Sequence, residues 1–180
     1  IALSREREIL YMNYIIGQVL GILATVGCLA LPLFKKKWQM LVALMSVNGL
    51  FALNLLLLDQ VSSGIIIHLL AVLQAGVPLW RVIKGLSSPK WENIVFLILY
   101  VAGGFLGYKT FIDVLPIIGS VFNMLSTFQR NEQKSRFLLM INATAFAAYF
   151  AIIGSTSFFA EAGVVISAII ADEAAIGMVN

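Results

Sequence analysis

Charged residues are scarce in this chain. Of its 180 residues, 12 are Lys or Arg and 9 are Asp or Glu, whereas hydrophobic residues make up 61%. A soluble domain usually has about 45–50% apolar and about 25% charged residues. A soluble fold of this size would have to expose much of its apolar surface to water, whereas a helix bundle in a bilayer needs apolar side chains on its outside. The composition therefore predicts a polytopic membrane protein with the lipid bilayer as its partner.

Residues for catalysis and metal binding are equally few. The chain has one His and one Cys, so it cannot form an internal disulfide or a metal site of His and Cys ligands. No glycine-rich phosphate loop follows a strand, and no Ser/His/Asp set stands out. We expect no enzyme, no metal and no other cofactor. The net charge of +3 does not indicate nucleic-acid binding, because the basic residues are concentrated in a few loops.

Seven apolar segments follow one another along the chain. A spanning helix needs roughly 20 apolar residues, which the first three segments provide and the last four approach. The sequence therefore predicts an all-α transmembrane bundle of seven spans, with six spans as the alternative if the glycine-rich fourth segment does not cross. The segments are Tyr11 to Phe34, Trp38 to Leu58, Val61 to Trp80, Asn93 to Tyr108, Phe111 to Gln129, Phe137 to Ile153 and Ser157 to Ala171.

The basic residues predict an orientation. If the N-terminus is outside, nine of them lie in cytoplasmic loops and three outside, as the positive-inside rule expects. With seven spans the C-terminus is then cytoplasmic. The nine are Lys35, Lys36, Lys37, Arg81, Lys84, Lys90, Arg130, Lys134 and Arg136; the three are Arg5, Arg7 and Lys109.

The two halves of the chain share one plan. Lys36 and Arg130, which mark basic turns, are separated by 94 positions, and so are Asn48 and Asn142 in the segments that follow. This spacing predicts two three-helix units, residues 1–88 and 111–180, with a linker span at residues 89–110. An odd linker gives both units the same orientation, so the repeat is parallel. In transporters built from such repeats the substrate site lies near the midplane between the halves.

Polar residues at membrane depth are the candidate binding residues, because burial there is costly unless a partner or a wet cavity compensates. Asn48 and Asn142 lie mid-span, and an amide both donates and accepts, which suits a polar uncharged solute. Hydrogen bonding between helices is the alternative for both. Asn54, Gln74 and Asn123 are further candidates for substrate contact, with the same alternative.

His68 and Glu161 form a second candidate pair. The offset of 94 maps Glu161 to position 67, next to His68, so the two could face each other across the repeat axis. They would orient the solute or couple protons, since imidazole titrates near neutral pH. The alternative places Glu161 in the interface and satisfies His68 with a neighbouring carbonyl. Pro116 and Pro32 are candidate gating residues, because proline bends or ends helices.

Short motifs in the second half resemble a known family. Leu115-Pro116-Ile117-Ile118-Gly119, the basic turn after it, then Gly154-Ser155 and Glu161 resemble the YgjV-type bacterial inner-membrane proteins. That resemblance implies a location in the bacterial inner membrane. The architecture is also similar to the SWEET and PQ-loop sugar and amino-acid transporters and to the PnuC vitamin transporters. The Pro-Gln pair of the PQ-loop group is absent, since Pro116 precedes Ile117 and Pro32 precedes Leu33.

Two hypotheses follow for function. The first is a small-solute transporter or facilitator with a midplane site for a small polar solute. The second is a non-transporting receptor, assembly partner or immunity component, whose polar residues only join helices. A polar cavity between the halves favours the first, and tight internal pairing of all these residues favours the second. The oligomeric state is left open, a homodimer included.

Overall fold

The computed structural model describes residues 2–30, 36–58, 63–86, 89, 91–128 and 132–177. Within these ranges the chain forms seven α-helices and no strand, so the predicted all-α fold is confirmed. Pro32, one of the two predicted gating residues, lies outside the described residues. The helices are α1 (Ala2–Ala30), α2 (Lys37–Leu57), α3 (Ser63–Ile83), α4 (Trp91–Leu106), α5 (Val114–Phe128), α6 (Glu132–Ile152) and α7 (Phe158–Gly177).

Each helix coincides with one predicted apolar segment. Three stretches are long and apolar enough to cross a membrane, namely Glu6–Ala30, Trp38–Leu57 and Ser63–Ile83. The 16 residues of α4 reach only about 24 Å at 1.5 Å per residue, less than the roughly 30 Å of a hydrocarbon core. The number of spans therefore stays a prediction.

The exterior of the bundle is apolar, unlike that of a soluble protein, and several polar side chains lie inside beside an apolar core. Large apolar side chains are exposed, with Leu106 at 84% and Phe111 at 83%, whereas Asn54, Ser63 and Ser157 are fully buried. In a bilayer, lipid solvates the apolar exterior, and polar groups find their partners inside the bundle. The exposed tryptophans Trp38, Trp80 and Trp91 lie where α2 begins, α3 ends and α4 begins.

Six of the helices pack in a closed ring. α1 packs on α2 and α7, α2 on α3, α3 on α5, α5 on α6, and α6 on α7, while α4 lies against α3 and α5. The order of contacts is unchanged when α1, α2 and α3 are exchanged with α5, α6 and α7. The ring therefore has the contacts that two equivalent units would make. The predicted three-plus-one-plus-three division and its boundaries stay predictions.

The turn between α6 and α7 is hydrogen-bonded to α1. Gly154 has φ +70°, a left-handed conformation that glycine adopts without strain, and it ends α6. The Gln18 side chain of α1 donates to the Gly154 carbonyl at 2.7 Å and accepts from the Thr156 backbone N–H at 2.8 Å. The Thr156 hydroxyl donates to the Gln18 carbonyl at 2.8 Å. Both polar atoms of the Gln18 amide are thus used to hold α7 against α1.

A second polar contact joins α3 to the start of α5. The buried Ser63 hydroxyl donates to the Asp113 carbonyl at 2.9 Å and lies 3.3 Å from its carboxylate. Asp113 also accepts from the backbone N–H groups of Lys109 and Thr110 at 3.0 and 2.8 Å. Burial alone would raise the pKa of Asp113, but these hydrogen bonds, with those from the Thr110 and Ser63 hydroxyls, lower it below its ordinary 3.8.

We predict that Asp113→Asn destabilises the protein by about 1 kcal/mol near neutral pH, because an amide is a weaker acceptor than a carboxylate. A carboxyl group with a lowered folded-state pKa stabilises fully above its unfolded-state pKa, and this contribution is lost as pH falls through the folded value. The difference in free energy of unfolding between wild type and variant should therefore narrow as the pH falls below 3.8. Thermal unfolding in detergent across this range tests it. Thr144→Ala should show no such trend, and a gap for Asp113→Asn that is constant with pH would contradict the prediction.

Candidate functional site

A cavity of about 210 Å³ lies inside the bundle, and all seven helices contribute to its lining. Residues that lie far apart in the sequence therefore meet at one place. Six of the seven residues predicted to contact substrate line this cavity. They are Asn48, His68, Gln74, Asn123, Asn142 and Glu161. Their role in binding a substrate stays a prediction, but their convergence makes the cavity the candidate site.

Asn48 and His68 form a hydrogen-bonded pair between α2 and α3. The Asn48 Nδ2 donates to the Leu44 carbonyl at 2.9 Å, one turn earlier in α2. A carbonyl can only accept, so the amide orientation is fixed and Oδ1 is the atom that lies 3.1 Å from His68 Nδ1. Because Oδ1 also only accepts, His68 carries its proton on Nδ1 and donates. In the neutral ring Nε2 is then the acceptor.

The His68 ring lies among aromatic side chains. Its centroid is 5.0 Å from that of Phe51, 5.4 Å from Phe146 and 5.9 Å from Phe150. His68 is 5% exposed. Its buried Nε2 makes no hydrogen bond within the described part of the chain. His68 and Glu161 line the same cavity, and His68 bonds to Asn48. That His68 and Glu161 act as a pair stays a prediction.

Gln74 joins three helices. The Tyr100 hydroxyl of α4 donates to Gln74 Oε1 at 2.6 Å, and Gln74 Nε2 lies 3.6 Å from the Met124 sulfur of α5. Both ends of the Gln74 amide are therefore engaged. Gln74 and Tyr100 still line the cavity, with the tyrosine oxygen keeping lone pairs for a further acceptor role.

The other three predicted residues in the cavity lining are not hydrogen-bonded in this way. The side chains of Asn123, Asn142 and Glu161 make no hydrogen bond to any other described residue, although each lines the cavity. The repeat offset explains the difference between the two equivalent asparagines. Asn48 bonds to His68, whereas the offset of 94 maps His68 to Ala162, which has no polar group. Asn142 therefore has no counterpart of the histidine, and its amide is available.

Asn54 does not line the cavity. It is fully buried, and its Nδ2 donates to the Gly17 carbonyl at 2.7 Å. Its Oδ1 accepts from the hydroxyls of Ser155 at 2.7 Å and Ser157 at 3.1 Å. Every hydrogen-bonding direction except one amide hydrogen is used to join α1, α2 and the α6–α7 turn. The structure thus gives Asn54 the interhelical role, which was the alternative to substrate contact in the sequence analysis.

Pro116 is the third residue of α5 and is buried. The first turn of a helix has no intrahelical partner for its N–H groups, so proline is tolerated there. α5 continues without interruption to Phe128. The described structure thus shows no break at Pro116, and its role in gating stays a prediction.

Several cavity residues were not among the predicted ones. Cys28, Tyr100 and Ser120 each add a polar atom to the lining. Tyr100 had a usable signal, because a membrane tyrosine usually lies near the interface and this one lies within an apolar helix. Cys28 and Ser120 had no such signal, because cysteine and serine are common in apolar helices. In the described residues, no three His, Cys, Asp or Glu side chains are grouped so that they could hold a metal ion.

Most of the chain matches a known protein family. Residues 15–171 match the model of the Imp-YgjV family, which is described as a bacterial inner membrane protein. The chain belongs to this family. No curated protein and no solved structure matches it. The Imp-YgjV match confirms the resemblance of the motifs around Pro116 and Glu161, and it assigns the protein to the bacterial inner membrane. The likeness to SWEET and PnuC transporters stays a hypothesis.

We predict that Asn54→Ala destabilises the protein more than Asn142→Ala. The two substitutions remove the same atoms, so the pair is matched in chemistry. Asn54→Ala leaves the buried Gly17 carbonyl and two serine hydroxyls without their partner, at a cost of about 1–3 kcal/mol. Asn142→Ala breaks no hydrogen bond between described residues and should cost clearly less. Thermal unfolding in detergent measures both, and equal losses would show that the Asn142 amide is also structural.

Proposed function

We propose that this protein is a transporter or facilitator for a small polar solute, which binds in the cavity between the helices. The observation that carries the proposal is the convergence of six polar side chains on one cavity, three of them without a hydrogen-bonding partner in the described chain. Burying an amide or a carboxyl group without a partner costs several kcal/mol. A bundle that uses its polar residues only to join helices would pair them, as it does at Asn54.

The size of the cavity supports a small solute. The volume of about 210 Å³ is small for a ligand site. Pockets for drug-sized ligands usually measure about 300–1,000 Å³. Phe51 and Phe146 supply apolar walls, and the amides of Asn123 and Asn142 supply both donors and acceptors. This arrangement is typical of sites that bind a molecule of a few non-hydrogen atoms.

The proposed mechanism is alternating access. The cavity is bordered by α1, α2 and α3 from one predicted unit and by α5, α6 and α7 from the other. Rocking of one unit against the other around this site would expose it to each side of the membrane in turn. The pairs of α1 with α7 and of α3 with α5 would be the contacts that shift.

The first experiment is a ligand screen on the purified protein in detergent. Thermal unfolding is measured with sugars, amino acids, vitamins, nucleosides and small amines. A solute at 100 times its dissociation constant should add about 2.7 kcal/mol of stability. Asn142→Ala should abolish the effect. Thr144→Ala is the matched control, because Thr144 lies two residues away on α6, is exposed and bonds only to the Met140 carbonyl.

Uptake into proteoliposomes then separates transport from binding. A transporter must move the stabilising solute into vesicles, and Asn142→Ala should stop this movement. A solute that binds without being moved would favour a receptor. If no solute stabilises the wild type, and Asn142→Ala only lowers its stability, the proposal is wrong and an assembly or immunity component is favoured.

We further propose a multi-pass topology with the N-terminus outside and the C-terminus cytoplasmic. The exposed Lys36 and Lys84 lie at the same end of the bundle as the three tryptophans, as cytoplasmic basic residues near an aromatic belt would. A cytoplasm-active fluorescent reporter fused after the last residue should be fluorescent. The same reporter fused after Gly154, following α6, should be dark. The reverse pattern would contradict this orientation.

A further inference from the structure

Three donors of the cavity lining are used within the protein. His68 Nδ1 donates to Asn48, the Tyr100 hydroxyl donates to Gln74 at 2.6 Å, and the Ser120 hydroxyl donates to the Ile117 carbonyl at 2.9 Å. A hydroxyl that donates its hydrogen keeps acceptor lone pairs. The Tyr100 and Ser120 oxygens can therefore only accept from a solute, and the neutral His68 ring keeps its Nε2 lone pair.

The charge of the lining has one sign. Among the described residues that border the cavity, Glu161 is the one with a carboxyl group, and none is Lys or Arg. The carboxylate adds acceptor sites and no donor when it is ionised. A solute carboxylate or phosphate would meet acceptors and a like charge, without a cation to neutralise it. A solute with donors and a positive charge would meet acceptors and a charge of opposite sign.

The walls also suit a cation. Phe51, Tyr100 and Phe146 border the same cavity. Aromatic faces attract an ammonium group and pack against the methylene groups beside it. Amide hydrogens remain free as donors for a hydroxyl or carbonyl on the solute, and they belong to Asn48, Gln74, Asn123 and Asn142.

Resting on the proposed function, we infer that the solute is a small primary amine in its ammonium form. An ammonium group has three donors, a positive charge and no acceptor, which complements the Glu161 carboxylate and the Tyr100 and Ser120 oxygens. Glu161 binds the ammonium group, the oxygens of Tyr100 and Ser120 accept its remaining hydrogens, and Asn142 binds a polar group at the other end of the molecule. The volume of 210 Å³ limits the solute to a short chain.

Three matched probes of three carbons test the inference, namely 3-amino-1-propanol, 1,3-propanediol and 3-hydroxypropionate. They differ in one terminal group and are too polar to partition into detergent micelles. The amine should bind at least about tenfold more tightly than the diol, and the carboxylate should not bind detectably. Affinity is measured by calorimetry on the detergent-purified full chain, with Thr144→Ala as the control that should match wild type.

Glu161→Gln should weaken amine binding at least about tenfold and leave binding of the diol unchanged. Glu161→Asp keeps the charge and should keep the preference for the amine, so it serves if Glu161→Gln does not fold.

A carboxylate that binds better than the amine, or equal binding of the amine by wild type and Glu161→Gln, overturns the inference. A sugar or other neutral solute that binds in an Asn142-dependent way also overturns it, while leaving the proposed function intact. If the wild type binds none of the solutes and takes none of them up, both the inference and the proposed function are wrong.

Discussion

The constraint on which this structure depends is that a bilayer offers no hydrogen bonds. Every polar group within the apolar helices has to find its partner inside the bundle or face a wet cavity. The chain has few such groups, and the structure divides them into two sets. Gln18, Asn54 and the hydroxyls of the α6–α7 turn satisfy one another between helices. Asn123, Asn142 and Glu161 border a cavity instead. The first set explains why the helices hold together, and the second is the reason to expect a solute.

Two contacts between the predicted units lie at positions that the predicted repeat relates. Ser63 and Ser157, at the beginning of α3 and just before α7, are separated by the same 94 positions as Asn48 and Asn142. Each serine is fully buried and bonds to the other predicted unit, Ser63 to Asp113 and Ser157 to Asn54. In the cavity the two units differ, since Asn48 has a partner in His68 and Ala162 offers none to Asn142. A site of this kind is asymmetric, as the proposed binding of an asymmetric solute requires.

Much of this arrangement could be predicted from the sequence, because the cost of a polar residue in an apolar segment does not depend on the details of packing. The seven helices and six cavity residues follow from that cost and from the repeat. The repeat favoured Asn142 over Asn54 as a cavity residue, but the partners of Asn54 could not be predicted. What distinguishes Asn54 from Asn142 is the approach of Ser155 and Ser157, which are about a hundred positions from Asn54 in the chain. Such long-range partners depend on the turn at Gly154, and no local pattern predicts where its hydroxyl groups will lie.

The position of the joining contacts also bears on the proposed movement. The α6–α7 turn, the beginning of α3 and the turn before α5 all lie at the end of the bundle where α2, α4 and α6 finish. Hydrogen bonds tie the two halves together there, through Gln18 with Thr156 and Ser63 with Asp113. At the opposite end, the described ion pair between Arg81 and Glu92 joins α3 to α4 and does not link the two predicted units. In the proposed movement, rocking that opens the first end would break these hydrogen bonds. The free energy of these few bonds would then set how readily the site reaches the outer side, and Asn54→Ala and Asp113→Asn would shift that balance as well as the stability.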